Sequence, residues 1–292
     1  MSNSINQKTC IKCKLCIDVC PVKAIDIDKN NNINFVKERE SICLLCGQCM
    51  SVCPTEAITL KNYSYKENFQ PIPNDIINYQ QFMDFIKTRR SIRNFTNKKV
   101  EKHTLIKIID SLKYAPYGDE PKAVEITIIN NRNKIVSILP LIEEFLNNII
   151  KWVDNPIISS IIKTKKGSET YSTLKKHLYP MIKLDNYNLN HDDRITRGAP
   201  TLIILHGRKE ASEHTHNSLI YATYLMFAIH SLGLGSTING IIPAAINKEK
   251  KIKEKFNIPK DHEAIISIML GYPKYKYKKT IDRKDKKINW VD

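Results

Sequence analysis

The sequence predicts an α+β fold in two unequal parts, and three observations carry the prediction. All eight cysteines fall between residues 10 and 53, in two copies of one spacing. Beyond them, apolar residues recur at helical spacing in several segments, while short runs rich in Ile, Leu and Val read as buried strands. Between the two parts lies KNYSYKENFQPIPND, with two prolines and mixed polar residues. We therefore expect a small domain over residues 1–60, a linker over 61–74 and a larger domain over 75–292, a normal size for one core.

The cysteine pattern is the most specific feature. Cys10-x2-Cys13-x2-Cys16-x3-Cys20-Pro21 recurs thirty-three residues later as Cys43-x2-Cys46-x2-Cys49-x3-Cys53-Pro54. Thiolates at this spacing hold two [4Fe–4S] clusters: three sulfurs wrap one cube, and the fourth, fixed before a proline, reaches the other. The crossed pattern assigns Cys10, Cys13, Cys16 and Cys53 to one cluster, and Cys43, Cys46, Cys49 and Cys20 to the second. CIKCKLCIDVCPVKAIDI matches CLLCGQCMSVCPTEAITL, so the module is an internal repeat. Ile11, Ile17, Ile27, Leu44 and the Ala-Ile pairs at 24–25 and 57–58 supply the apolar sheath. Zinc takes sets of four, usually as separated CxxC pairs, and needs no third cysteine in each triplet. Disulfides are disfavoured because no signal peptide is read ahead of Cys10. Over residues 5–60 the sequence resembles a bacterial-type two-cluster (2[4Fe-4S]) ferredoxin domain. So small a module buries little core and should depend on its clusters for folding. A reducing cytoplasm in an anaerobe is the expected setting.

In the larger part, Phe82, Phe85 and Ile86 give a short helix ending at the basic turn Arg89-Arg90-Ser91. Leu105, Ile108, Ile109 and Leu112 give a second, and Ile135, Ile138, Leu139, Ile142 and Phe145 a third that runs through Pro140. Residues 123–129, Thr201–Leu205 and Ala264–Leu270 read as strands. Residues 156–199 read as irregular, basic cover. The apolar run Leu219–Ile246 is broken by His230, Gly233, Gly235, Asn239 and Pro243, so it reads as a buried helix to about Leu232, not a membrane span. Being apolar all round, that helix calls for a subunit interface. Gly233-Leu234-Gly235 and Asn239-Gly240 read as flexible backbone able to approach a planar ring; they lack dinucleotide or P-loop spacing.

Arg89, Arg90 and Arg93 place three guanidinium forks within five residues, with the Ser91 hydroxyl between them, a set suited to phosphate oxygens. RRSIRNF (89–95), YAPYGDEP (114–121), RGAPTLIIL (197–205), SLGLGSTINGII (231–242) and LGYPKYKYKK (270–279) resemble, in order, segments of the FMN-dependent nitroreductase family. With the N-terminal clusters the chain resembles its ferredoxin-fused members. The resemblance covers residues 80–292. It implies a mixed sheet surrounded by helices, in a homodimer with FMN at the subunit interface. It also implies that Arg89, Arg90, Ser91 and Arg93 hold the FMN phosphate and ring edge. Thr237 would lie against the ring, and the backbone of Ile238, Asn239 and Gly240 would approach flavin N5. Arg283 and Lys284 resemble a C-terminal basic pair at the phosphate, with Lys279 the substitute if the register slips. The family's neutral loop is replaced here by Ala115-Pro116-Tyr117-Gly118-Asp119-Glu120-Pro121, which places acids where an Asn is usual. Tyr117 is a candidate lid over the ring.

The formal charge of +16 counts ligating thiolates as neutral. Each cluster site adds about −2 and a flavin phosphate about two more negative charges, leaving roughly +10. Much of this sits between Lys274 and Lys287, and no nucleic-acid motif accompanies it. His177, His191, His206, His214 and His216 match no metal spacing and read as structural or solvent-facing histidines.

Clusters carry electrons singly, whereas FMN takes one or two, so the joined modules imply an oxidoreductase that collects electrons and passes a hydride equivalent to a small organic acceptor such as a nitroaromatic or quinone. NAD(P)H or reduced ferredoxin would be the donor, and no side chain is singled out as a catalytic acid. The alternative is an electron-transfer relay serving a protein partner. Turnover of a small acceptor favours the first; transfer only to a protein favours the second.

Overall fold

The computed structural model describes residues 2–118, 123–184, 193–283 and 286–291. It divides into two compact units, Met1–Asn78 and Tyr79–Asp292. Asp119, Glu120, Lys122, His191 and Lys284 lie outside the described residues.

The first unit shows its sequence repeat in the backbone. Strand β1 (Ser4–Ile5) pairs antiparallel with β4 (Ile58–Thr59), and β2 (Ile25–Ile27) with β3 (Ile33–Phe35). Helices α1 (Leu15–Asp18) and α2 (Gln48–Val52) each follow a left-handed residue, Lys14 at φ 66° and Gly47 at φ 75°. Lys12 and Leu45, then Lys23 and Glu56, repeat that conformation at matching places. Side chains in the left-handed region cost about 1 kcal/mol each, so Lys12, Lys14 and Leu45 hold the turns in a shape the free chain disfavours. The core is small: Ile25, Ile33, Met50, Ile58 and Leu60, with Cys16 and Cys49. Residues 61–69, expected as linker, fold back on it. There α3 (Tyr65–Asn68) is followed by Phe69, whose ring packs on Tyr65 and Tyr63 at 5.4 and 6.1 Å. Three aromatic rings in nine residues outweigh the polar character that suggested a linker.

The second unit is built on a four-stranded antiparallel sheet in the order β5 (Glu125–Ile129), β6 (Thr201–Arg208), β8 (His262–Gly271), β7 (Gly235–Asn239). Among the described residues an isolated bridge, Ser91–Ser236, adds a parallel pairing at the outer edge of β7. Strand β6 is apolar on both faces because both are covered. Leu202 and Ile204 join α7 (Leu139–Asp154) and α12 (Ile241–Lys248) in one core. Ile203 and Leu205, pointing the opposite way, join α5 (Lys102–Asp110) and α11 (His214–Ser231) in another. All four are fully buried, and each contributes about 1.5–3 kcal/mol of transfer free energy.

Two expectations are corrected. The stripe through Pro140 is two helices, α6 (Arg132–Val136) and α7, because Pro140 stands in the first turn of α7, where its missing N–H costs nothing. Much of the stretch expected as irregular is helical: α8 (Pro156–Lys166), α9 (Ser168–Thr173), a π turn over Leu174–Leu178 and α10 (Tyr179–Leu184). Asn155 starts it, its side chain accepting from the N–H groups of Ile157 and Ile158, with Pro156 at the first helical position. Asn-Pro is a helix-start signal as well as a turn signal. Helix α4 (Tyr79–Thr88) and α13 (Lys250–Lys255) complete the unit. Among the described residues no helix is long and apolar enough to cross a membrane.

Candidate functional site

In the first unit the cysteines gather in two sets. Cys20, Cys43, Cys46 and Cys49 line one cavity with Val19, Phe35 and Leu60. Cys10, Cys13, Cys16 and Cys53 line another with Ile5, Ile33 and Ile58. Neither lining contains a carboxylate or an imidazole, so the donor set is four sulfurs in an apolar wall, which fits an iron–sulfur cluster at each place. The fourth sulfur of each set is positioned by the turn after its Cys-Pro: Ala24 N–H donates to Cys20 Sγ at 3.2 Å and Ala57 N–H to Cys53 Sγ at 3.3 Å. Burial pushes the Cys16 thiol up to about 11 and the Cys49 thiol up to about 12, so occupancy by a metal cluster must expel protons from both. At Cys53 burial works the other way from the net result. The Ala57 N–H, the Thr55 backbone and hydroxyl, and the nearby Tyr65 hydroxyl together outweigh it and hold the thiol below its ordinary value.

In the second unit a cavity of about 430 Å³ is lined by Thr88, Arg89, Arg90, Ile92, His230, Leu234 and Ser236 and by Pro273–Tyr277. That volume is within the range of small-molecule sites. Its framework is backbone pairing on both sides of the 91–96 segment. Ile92 N–H donates to Ser236 O at 2.9 Å, Thr96 N–H to Tyr272 O at 2.9 Å, and Lys274 N–H to Asn94 O at 2.9 Å. Arg90 donates to Lys279 O at 3.3 Å and its guanidinium stacks over Tyr277 at 5.0 Å, clasping the chain past β8. Gly235 permits the close approach of β7: a Cβ there would lie 2.6 Å from Ile92 Cγ1. Gly233, at φ 72°, closes α11, with Leu234 N–H returning to Ile229 O at 3.1 Å.

The cavity is cationic. Arg89, Arg90, Lys274 and Lys276 line it, and among the described residues no carboxylate does. Burial lowers the Arg89 guanidinium from its ordinary value, and the nearby Arg283 lowers it further. His230, which meets Thr88 Oγ1 at 3.0 Å, is likewise lowered by burial and by Arg89. Half-buried like charges pressed together in this way favour an anion between them, which fits the phosphate of a cofactor.

The expected site residues divide. Arg89 and Arg90 reach the cavity, and Arg283 lies beside Arg89. Ser91 and Arg93 are exposed and do not line it. Lys279 enters through its backbone carbonyl, held by Arg90. Thr237 is buried, while Ile238 is 43% exposed on β7. The Asn239 side chain is used internally: its Oδ1 accepts from Ile241 and Ile242 N–H, capping α12, and its Nδ2 donates to Ile195 O at 2.9 Å. The side chain thus fixes the end of β7, whose Ile238 and Asn239 pair with Ile268 and Ser267 of β8. Tyr117 lies beside Tyr221, away from the cavity lining. His230 and the Tyr275 and Tyr277 rings were missed, because neither their spacing nor their composition marks them.

Two polar constellations outside the cavity were also missed. Asn217, buried on α11, both accepts from Gly118 N–H (2.8 Å) and donates to Gly118 O (2.9 Å), pinning the Pro116–Gly118 turn. Asp193 accepts from Arg132 at 2.6 Å, from Thr196 N–H and Oγ1, and from Gly198 N–H. Burial would raise this carboxyl; those donors together hold it below the usual range.

Comparison with known proteins agrees with this division. Residues 86–272 match the model of the nitroreductase family, and residues 9–57 match a 4Fe-4S dicluster domain. No curated protein matches the chain. A nitroreductase with bound FMN from Bacteroides fragilis is 19% identical, covers 72% of this chain and 98% of its own, and superposes with a TM-score of 0.54. A BluB-like flavoprotein from Clostridium difficile is 15% identical over 70% of this chain and 94% of its own, with a TM-score of 0.50. At these identities the structures speak for the fold, whereas the family match spans most of the second unit. The chain belongs to the nitroreductase family and carries a 4Fe-4S dicluster domain ahead of its nitroreductase fold.

Proposed function

We propose that this oxidoreductase takes electrons singly into two [4Fe–4S] clusters and delivers them in pairs, through FMN, to a small organic acceptor such as a nitroaromatic or quinone. The observation that carries the reading is the pairing, on one chain, of two four-sulfur cavities with a cationic cavity. Cys10, Cys13, Cys16 and Cys53 would ligate one cluster and Cys20, Cys43, Cys46 and Cys49 the other. FMN, the cofactor of the Bacteroides fragilis relative, supplies a centre that accepts electrons one at a time and releases two. Arg89, Arg90 and Arg283 would hold its phosphate, with Lys284 a further candidate. The β7 backbone at Ile238–Gly240 would face the ring edge, beside Thr237, with Ser91 and Arg93 further candidates for the phosphate and ring edge. Working as a homodimer would cover the outward side of α11, where Leu219 is 51% exposed. NAD(P)H or reduced ferredoxin would be the donor. No side chain need shuttle a proton; the protein's part is placement and positive charge where reduced species gather.

Protein purified without oxygen should contain about eight iron atoms and one flavin per chain. Arg89→Ala should weaken FMN retention about tenfold or more, since a charge-assisted hydrogen bond in a half-buried site is lost, while iron content stays unchanged. Absent flavin in the wild type, or equal loss of iron and flavin in the variant, would remove the basis of the proposal.

A further inference from the structure

The two halves of the first unit are near copies, so places where the copy fails stand out. At the turn after each Cys-Pro, the backbone donors match: Ala24 N–H to Cys20 Sγ and Ala57 N–H to Cys53 Sγ. The side chains do not. Thr55 stands two residues after Cys53, its Oγ1 3.8 Å from that sulfur, where the first copy has Val22 two residues after Cys20. Tyr65 comes from outside the repeat. Its hydroxyl is buried, with no partner meeting hydrogen-bond geometry, and its polar neighbours are Cys53 Sγ and the Ile58 backbone. A buried phenol without a partner is destabilising, and an O–H···S bond to a cluster-ligating thiolate would remove that cost. Around the cysteine triplets the copies differ again. Lys12 and Lys14 flank Cys13 where Leu45 and Gly47 flank Cys46. Asp18 lies in sequence between Cys16 and Cys20 and favours neither set.

Hydrogen bonds to the sulfurs and nearby positive charge both favour the reduced, more negative form of a cluster. The hydroxyls at Cys53 and the lysines at Cys13 point to the same set. In the matching turns Lys23 follows Cys20 and Glu56 follows Cys53, and these charges oppose it; both are exposed to solvent, whereas the Tyr65 hydroxyl is buried against the sulfur, so the hydroxyl decides. We propose that Tyr65 and Thr55 are positioning residues that hydrogen-bond the Cys53 thiolate and make the cluster on Cys10, Cys13, Cys16 and Cys53 the easier of the two to reduce. The first electron to enter therefore rests there, and the second occupies the cluster on Cys20, Cys43, Cys46 and Cys49. Each step adds one electron from an external reductant to one cluster and breaks no bond. This inference rests on the two-cluster reading above.

The test is a dithionite titration of the anaerobic full-length protein, followed by electron paramagnetic resonance. About eight iron atoms and two reducible clusters establish the starting reading; fewer would sink that reading, separately from this one. The wild type should reduce in two resolved one-electron steps. Tyr65→Phe should lower the easier step by about tenfold in equilibrium constant, about 59 mV, and leave the other unmoved. Thr55→Val should move the same step by less. Val22→Thr, which adds a hydroxyl beside Cys20, should raise the harder step, and it decides the matter even if Tyr65→Phe fails to assemble its clusters. Coincident steps in the wild type, an equal shift of both steps in Tyr65→Phe, or a Val22→Thr titration identical to wild type would each overturn the proposal.

Discussion

Inside the sheet of the second unit, on neighbouring strands, His206 and His262 meet Nδ1 to Nδ1 at 2.9 Å, each almost fully buried. One of these nitrogens must carry a proton and the other must not. His206 Nε2 meets Thr127 Oγ1 at 2.9 Å, and His262 Nε2 faces Glu125 at 3.9 Å, with the Lys253 ammonium bonded to the His262 carbonyl. Glu125, His206 and His262 lie close enough to hold a metal ion together. Each imidazole nitrogen already faces a neighbour, however, so the group reads as a proton-linked chain. Burial, then the neighbouring His262, lowers His206 from 6.5 to about 4. The unfolded chain therefore binds a proton that the folded one refuses, and stability falls as pH drops from about 6.5 towards 4. His206→Gln should flatten that acid limb by about 2 kcal/mol between pH 7 and 5. Urea unfolding followed by tryptophan fluorescence at pH 7 and 5 measures it, because Trp152 and Trp290 both belong to the second unit. An unchanged pH dependence would show that His206 is not the group responsible.

Strand β7 shows how an element can be invisible in sequence and still frame a site. Gly235, Ser236 and Asn239 are weak strand formers, and the stretch reads as flexible; pairing with β8 makes it a strand. Its position depends on Gly235, whose α-carbon leaves no room for a methyl group against Ile92. Gly235→Ala should push Ile92 and β7 apart, cost about 1–3 kcal/mol and reduce flavin retention, as read from the denaturation midpoint and flavin per chain. Retention at the wild-type level would mean β7 does not shape the cavity. Elements with strong internal pattern were legible: β6 and β8 as apolar runs, α5 and α11 as helices, and the cysteine turns from spacing alone. Arg89 and Arg90 were legible as a cationic cluster, and both line the cavity. What escaped notice depends on partners distant in sequence. Asp193 draws its donors from Arg132 and from the turn at 196–198, Asn217 reaches back to Gly118, and Tyr65 acquires meaning only beside Cys53. Residues 156–184 were misjudged for a different reason. Their apolar positions are diluted by lysines and serines, so tertiary packing of residues such as Ile182 decides the helix where periodicity is weak.

At the scale of the whole molecule, the units differ in what holds them together. The second has two extensive cores, one on each face of a four-stranded sheet. The first has a core of seven fully or nearly buried side chains, two of them cysteines, and holds several non-glycine residues in the left-handed region. A core of that size does not offset chain entropy together with strained turns, so metal–sulfur bonds should supply much of its folding free energy. Removing iron with a chelator under reducing conditions should then unfold residues 1–78 selectively. Limited proteolysis should cut within the first unit and leave a fragment beginning near Tyr79. That fragment should keep its bound flavin and a cooperative melt, because none of the residues lining its cavity comes from the first unit. If flavin and tryptophan signals are instead lost in step with iron, the second unit does not stand on its own core. Resistance of the first unit to proteolysis after iron removal would show that its apolar sheath alone suffices.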